Sequence, residues 1–158
     1  MILRKGSIAE KAFPSRYPEP YGAGSDGVHG VPLGATAGLT QFGVYVERLD
    51  PGMRGSLKHW HENEDEFLYV LEGVLTVTEA DEHHVLHPGD ACGWPADEGV
   101  GHTIRNDGDT PVRYLIVGSR LPDETCHYPG CDLLSVRREG KGQFTRLDGT
   151  PYPPRDDE

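Results

Sequence analysis

The chain has 158 residues, the length of one ordinary domain around a single core. Its 26 aspartates and glutamates outnumber 15 lysines and arginines for a formal net charge of −11, which disfavours phosphate backbones and anionic lipid and sets aside nucleic acid and membrane surfaces as partners. Three cysteines do not form a disulfide framework, and no stretch resembles a leader's apolar run of roughly 7 to 15 residues or a membrane span of roughly 18, so the expected location is the cytoplasm.

In chain order, residues 1–37 carry many breakers ("FPSRYPEPYGAGSDG", "HGVPLGATAG") and little periodicity, and are expected to form an N-terminal arm with turns rather than a packed element. Residues 38–118 alternate short strand-like runs with turn signals. "LTQFGVYVERL" precedes "DPG"; "SLKHWHE", "EFLYVLE", "VLTVTEA", "HHVLH", "ACGWP", "HTIRN" and "VRYLIVGS" follow. About eight such strands joined by hairpin chemistry predict an all-β sandwich or barrel, with no convincing helix. Residues 119–158 read as a C-terminal extension packed on the barrel or on a partner subunit, within one domain overall. It holds strands around Leu133 to Val136 and Gln143 to Arg146 and frays at "PPRDDE".

The stretch "KHWHENEDEFLYVLEG" carries the chemistry. Side chains at i and i+2 of a strand share a face, so His59 and His61 point the same way with Cα atoms on the order of 6.6 Å apart. Glu66 shares a face with Leu68 and Val70, and His102 with Ile104, which turns all of these groups inward. An ion held between them offsets the cost of burying polar side chains. The expected site is therefore one divalent metal ion per subunit, held by His59, His61, Glu66 and His102. Four protein ligands on a six-coordinate ion leave positions open to a small-molecule substrate or ligand. Iron there supports oxygenase chemistry, whereas zinc, manganese or nickel supports isomerase or lyase chemistry by Lewis acidity. A non-catalytic ligand-binding or sensory module is the alternative. Tyr45, Arg48 and Tyr114 are further candidates to approach the cavity.

Other residues carry plainer expectations. Within "ENEDE" only Glu66 has strand parity, so the remainder reads as a solvated loop. His83, His84 and His87 flank a hairpin and read as exposed, and Cys92 as a buried hydrophobe. Cys126, His127 and Cys131 are a weak soft-metal motif. Asn106 lies on the order of 13 Å beyond His102 along the strand and should fix a turn. Phe67, Tyr69 and Leu71 face outward on the same parity, as does Trp60, and so large an aromatic patch calls for a cover. Either the N-terminal arm and C-terminal tail provide it or a second subunit does, and a homodimer is expected.

These residues resemble the cupin family. "HWHENEDE" with Gly73 six residues on is similar to its first motif, and "PGDACGWP" with "GVGHTIRN" resembles its second, through Gly89, Pro95, Gly99, His102 and Asn106. The resemblance covers roughly residues 40 to 118. It implies an eight-stranded jelly-roll (double-stranded β-helix) barrel, metal binding by His59, His61, Glu66 and His102, and a homodimer as a common assembly. Pro95 and Gly99 stand further apart than in the family pattern, which implies a longer loop before His102. The pattern's glycine six residues before His59 is Met53 here.

Overall fold

A computed structural model describes residues 1–23 and 25–153; the last five residues of "PPRDDE" lie outside the described residues. In chain order the elements are β1 (Lys11–Phe13), β2 (Val28–Pro32), the single helical turn α1 (Leu33–Thr36), β3 (Phe42–Leu49), β4 (Trp60–His61) and β5 (Glu66–Glu72). They continue with β6 (Leu75–Glu79), β7 (Glu82–Leu86), β8 (Ala91–Trp94), β9 (His102–Arg105), β10 (Val112–Ser119), β11 (Glu124–His127), β12 (Leu134–Arg138) and β13 (Lys141–Thr145). One sheet runs β1-β2-β3-β10-β5-β8; the others run β13-β12-β11-β4 and β7-β6-β9. Isolated bridges at His59–His102 and Arg54–Arg105 join the smaller sheets. The result is two antiparallel layers closing on one core, within the sandwich or barrel class of the strand pattern and the jelly roll that the family motifs imply.

Alternation places the core. Along β5, Leu68 and Val70 are buried while Phe67, Tyr69 and Leu71 are exposed, and along β9 His102 and Ile104 are buried while Arg105 is exposed. The main cluster unites Leu49, Leu68, Val70, Leu75, Val77, Ile104, Val112 and Tyr114 between the layers. A second cluster of Leu57, Cys126, Tyr128 and Leu133 takes Tyr17 from the arm and Phe144 and Tyr152 from the tail, tying both extensions to the barrel. Gly73 turns β5 into β6 at φ +81, and a Cβ there would lie 3.0 Å from the Pro111 carbonyl oxygen. Both conditions require glycine.

The arm is more ordered than its breakers suggest. β2 pairs with β3 from Val28–Leu49 to Pro32–Tyr45, and β1 pairs with β2 in turn. Gly30 and Pro32 lower the local strand propensity, yet pairing with an eight-residue neighbour overrides it. Gly30 also leaves room for the Phe13 ring, whose Cε2 would lie 2.2 Å from a Cβ at that position. In the tail, β12 and β13 fall near the expected strands. β11, hidden in the polar "DETCHYPG", is held by pairing with β12 and with β4.

Asn106 ties the turn between β9 and β10. Its Nδ2 donates to the carbonyls of Leu49 at 3.0 Å and Thr110 at 2.8 Å, and its Oδ1 accepts from the Gly108 amide at 3.0 Å. The residue is fully buried, so Asn106→Ala leaves these backbone groups without partners. The expected cost is about 3 kcal/mol, read as a lower urea midpoint at unchanged slope. A midpoint within error of the parent would remove the turn-fixing role.

Candidate metal centre

His59 and His102 are brought together by a reciprocal backbone pair, each amide donating to the other's carbonyl at 2.9 Å. Glu66 enters from the opposite sheet, at the start of β5. His102 Nε2 lies 2.9 Å from Glu66 Oε2 and His59 Nε2 lies 3.6 Å from the same oxygen. One atom from each of His59, Glu66 and His102 falls within 4.8 Å of the others. His61 stands one step aside: its ring is 5.1 Å from that of His59, with which it forms a second such grouping that includes Cys126. Three of the four expected ligands thus converge directly, and the fourth flanks them.

The surroundings orient these rings. His59 Nδ1 donates to the Leu57 carbonyl at 2.8 Å, and His61 Nδ1 faces Glu124 Oε1 at 3.3 Å. A proton on Nδ1 leaves Nε2 as the lone-pair nitrogen, the arrangement that outer partners impose on metal-binding histidines. His102 stacks on Trp94 at 3.8 Å between ring centroids with 5° between planes. Glu124 is itself fixed, accepting the amides of Glu62 and Asn63 at 3.0 Å each.

Electrostatics favour a cation. Burial alone would raise the Glu66 carboxyl, but the hydrogen bond with His102 and the His59 imidazole close beside it hold it well below the usual carboxylate range. Desolvation opposes charge on His59 too, and the Glu66 carboxylate overcomes it and raises that imidazole. His102 is lowered because burial outweighs Glu66, and His61 is pushed down to about 4 by burial and by His59. With Nδ1 of His59 committed to Leu57, its Nε2 lone pair would face a carboxylate oxygen unless a proton or a metal ion lies between. Two imidazoles sharing one carboxylate, with a neutral third beside them, are a nitrogen and oxygen donor set that fits a borderline divalent ion.

Beside this centre a cavity of about 450 Å³ opens along β3 and β10. Its walls include Tyr45, Glu47, Ser56, His59, Glu64, Glu66, Tyr114, Ser119, Arg120 and Arg137. Tyr114 is fully buried and donates from Oη to Glu47 Oε2 at 2.8 Å. Desolvation raises the Glu47 carboxyl to about 7, with the Tyr114 hydrogen bond opposing it. Arg137 Nη1 and Nη2 grip Glu64 Oε1 and Oε2 at 2.8 and 3.1 Å.

Several sequence expectations change here. Tyr45 and Tyr114 line the cavity, whereas Arg48 points away from it and pairs with Glu10 at 2.9 Å and with Asp50, because residues 43, 45 and 47 take the inner parity of β3. Glu64 is buried and paired rather than solvated, since the loop before β5 is roofed by the tail. His127 parts from the two cysteines: strand alternation sends Cys126 into the second core cluster, against which Cys131 also packs, and His127 to Glu62 at 2.7 Å. His127 also stacks on Trp60 at 4.1 Å, so the tail covers that ring while Phe67, Tyr69 and Leu71 stay exposed. The loop between Pro95 and His102 packs beside His61, where the Asp97 amide donates to the His61 carbonyl at 2.9 Å.

Comparison with known proteins agrees with this architecture. A Cupin domain model matches residues 45–118. Protein SchB of Streptomyces halstedii is 41% identical over 80 residues, 51% of this chain and 56% of SchB, so the match spans little more than half of that relative. The crystal structure of a sugar phosphate isomerase of the cupin superfamily from Silicibacter pomeroyi superposes with a TM-score of 0.89 at 37% identity, covering 100% of this chain and 99% of that one. A predicted oxalate decarboxylase from Thermotoga maritima follows at a TM-score of 0.62 and 25% identity, over 77% of this chain and 100% of that one. With both motifs in place, the ligand cluster at the cavity wall and a full-length structural match, the chain belongs to the cupin superfamily.

Proposed function

We propose that the chain is a metal-dependent isomerase acting on a small hydroxy-carbonyl compound, with one divalent ion held by His59, His61, Glu66 and His102. The observation that carries this reading is the second carboxyl in the cavity: Glu47, raised to about 7 by desolvation, lines the same space as Glu66. A carboxyl that titrates near neutrality can both take and return a proton, which interconversion of an aldose and a ketose requires. The bound ion would supply Lewis acidity toward a carbonyl oxygen.

The chain's own residues do the rest. Tyr114 occupies Glu47 Oε2 with its hydroxyl and leaves Oε1 to exchange a proton. Ile104 and Ile116 give the cavity apolar walls that limit bulk water beside the reacting carbon. Leu57 and Glu124 hold the His59 and His61 rings in register. Full-length likeness to the Silicibacter pomeroyi sugar phosphate isomerase supports isomerisation over oxygenase chemistry.

Elemental analysis of protein purified without a chelating tag tests the first half, against a His59→Ala, His61→Ala double variant. About one zinc, manganese or nickel per chain, lost in the variant, is the expected result. Incubation with aldose phosphates in deuterated water tests the second half, with proton NMR reading deuterium entry beside the carbonyl. Oxygen uptake during turnover, or tight substrate binding without exchange at any pH, would overturn the assignment.

A further inference from the structure

Two guanidinium groups line the cavity, and they are not equivalent. Arg137 is neutralised by its two-point contact with Glu64 and also donates to the Leu121 carbonyl at 2.9 Å. Arg120 directly follows β10 and folds back over the cavity, where Nη2 donates to the Tyr45 hydroxyl and the guanidinium carbon lies 5.8 Å from that ring's centroid. Among the described residues no carboxylate lies within ion-pair distance of Arg120. Gly43 keeps the space beside it clear: a Cβ there would sit 3.2 Å from Nε and 3.3 Å from Nη2 of Arg120.

In a chain of net charge −11, a cation held over a concave site without an acidic partner concentrates positive potential where a ligand enters. The divalent ion would add to it, since Glu64 is already spent on Arg137 and Glu66 on the centre. Gly118, opposite Glu66 in the β10 and β5 register, is two residues before Arg120, which places the Arg120 backbone about 7 Å further along the strand. That offset, together with the reach of the side chain, suits a ligand with a carbonyl at one end and a charged group at the other.

We propose that Arg120, with the Ser119 and Tyr45 hydroxyls, forms a phosphate-binding subsite at this end of the cavity, so that the substrate is a small phosphorylated hydroxy-carbonyl compound. The proposal rests on the isomerase reading for the rest of that substrate, and stands apart from it for the phosphate. Arginine provides forked donors, and Ser119 and Tyr45, which line the same cavity from neighbouring strands, carry hydroxyls that can add donors to a tetrahedral oxyanion.

The test titrates inorganic phosphate into the full chain by calorimetry and by 31P NMR line width, both metal-loaded and after chelation, with malonate as the carboxylate probe. The parent is expected to bind phosphate with or without the ion and more tightly than malonate. Arg120→Gln should weaken binding about tenfold, Arg120→Lys should retain part of it, and Arg105→Gln, an exposed site away from the cavity, should leave it unchanged. Phosphate binding that survives Arg120→Gln, that vanishes on chelation, or that falls below malonate binding overturns the subsite. A protein that holds no metal yet shows Arg120-dependent phosphate binding rejects the isomerase reading and keeps the subsite.

Discussion

Glu66→Gln is expected to empty the proposed metal centre. The carboxylate shared by His59 and His102 becomes a neutral amide, and the charge that attracts a cation into a half-apolar wall is gone. We expect the affinity for a divalent ion to fall by more than about 100-fold, beyond the loss usual for an outer-shell partner. Competition with a chelating dye reads that loss directly. Trp94 provides an internal reporter, because its ring stacks on His102 and its fluorescence should respond to metal in the parent and not in the variant. The metal-free proteins separate this effect from misfolding. Because the folded state holds Glu66 below its ordinary carboxylate value, its contribution is present above that ordinary value and lost as pH falls through the depressed one. Glu66→Gln should therefore cost about 2 kcal/mol at neutral pH and progressively less in acid. Retained stoichiometric metal with unchanged fluorescence response would place the ion elsewhere.

The convergence of His59, Glu66 and His102 was legible because their spacing is set by the period of a strand. His59 and His61 lie two residues apart, and Glu66 and His102 begin strands whose next inward residues are apolar, so parity alone turns them to one side. The rest of the cavity was hidden for definable reasons. In β3 the valines at 44 and 46 lie on the face away from the cavity and are half-buried beneath the N-terminal segment, where a Cβ on Gly34 of α1 would meet the Val44 nitrogen at 2.8 Å. Both faces of that strand are covered, so hydrophobic alternation gives no direction, and Glu47 cannot be told from Arg48 by pattern. Glu64, Arg137 and Glu124 depend on the tail returning over the loop before β5, and Arg120 on the end of β10 meeting Tyr45 of β3, contacts between segments more than fifty residues apart in the chain. No local period encodes such a return.

Glu47→Gln should abolish proton transfer while leaving the metal in place. General acid-base groups contribute roughly 10² to 10⁴ in rate, so kcat is expected to drop by about 1,000-fold with metal content and phosphate affinity unaltered. The acid-base role has a pH signature that packing alone lacks. As the proposed base Glu47 must first be ionised, so turnover should rise as the carboxyl loses its proton, and that limb, which would lie near 7 without the ion, should disappear in the glutamine variant. A divalent ion in the same cavity draws that limb downward, because nearby positive charge favours the carboxylate. Carbon-13 NMR of the metal-free chain should thus find Glu47 titrating near 7 and moving lower on loading. Tyr114→Phe acts in the opposite sense: the hydroxyl now stabilises the Glu47 carboxylate, so its removal raises the limb. Stability supplies an independent check. The folded value lies above the ordinary 4.5, so the protonated form stabilises the fold fully below 4.5, and that contribution is lost as pH climbs through about 7. The metal-free parent should lose on the order of 2 kcal/mol between pH 5 and pH 8, as burial resists the charge, and Glu47→Gln should flatten the curve. A glutamine variant with parental kcat, or a Tyr114→Phe limb that moves downward, removes Glu47 from the reaction.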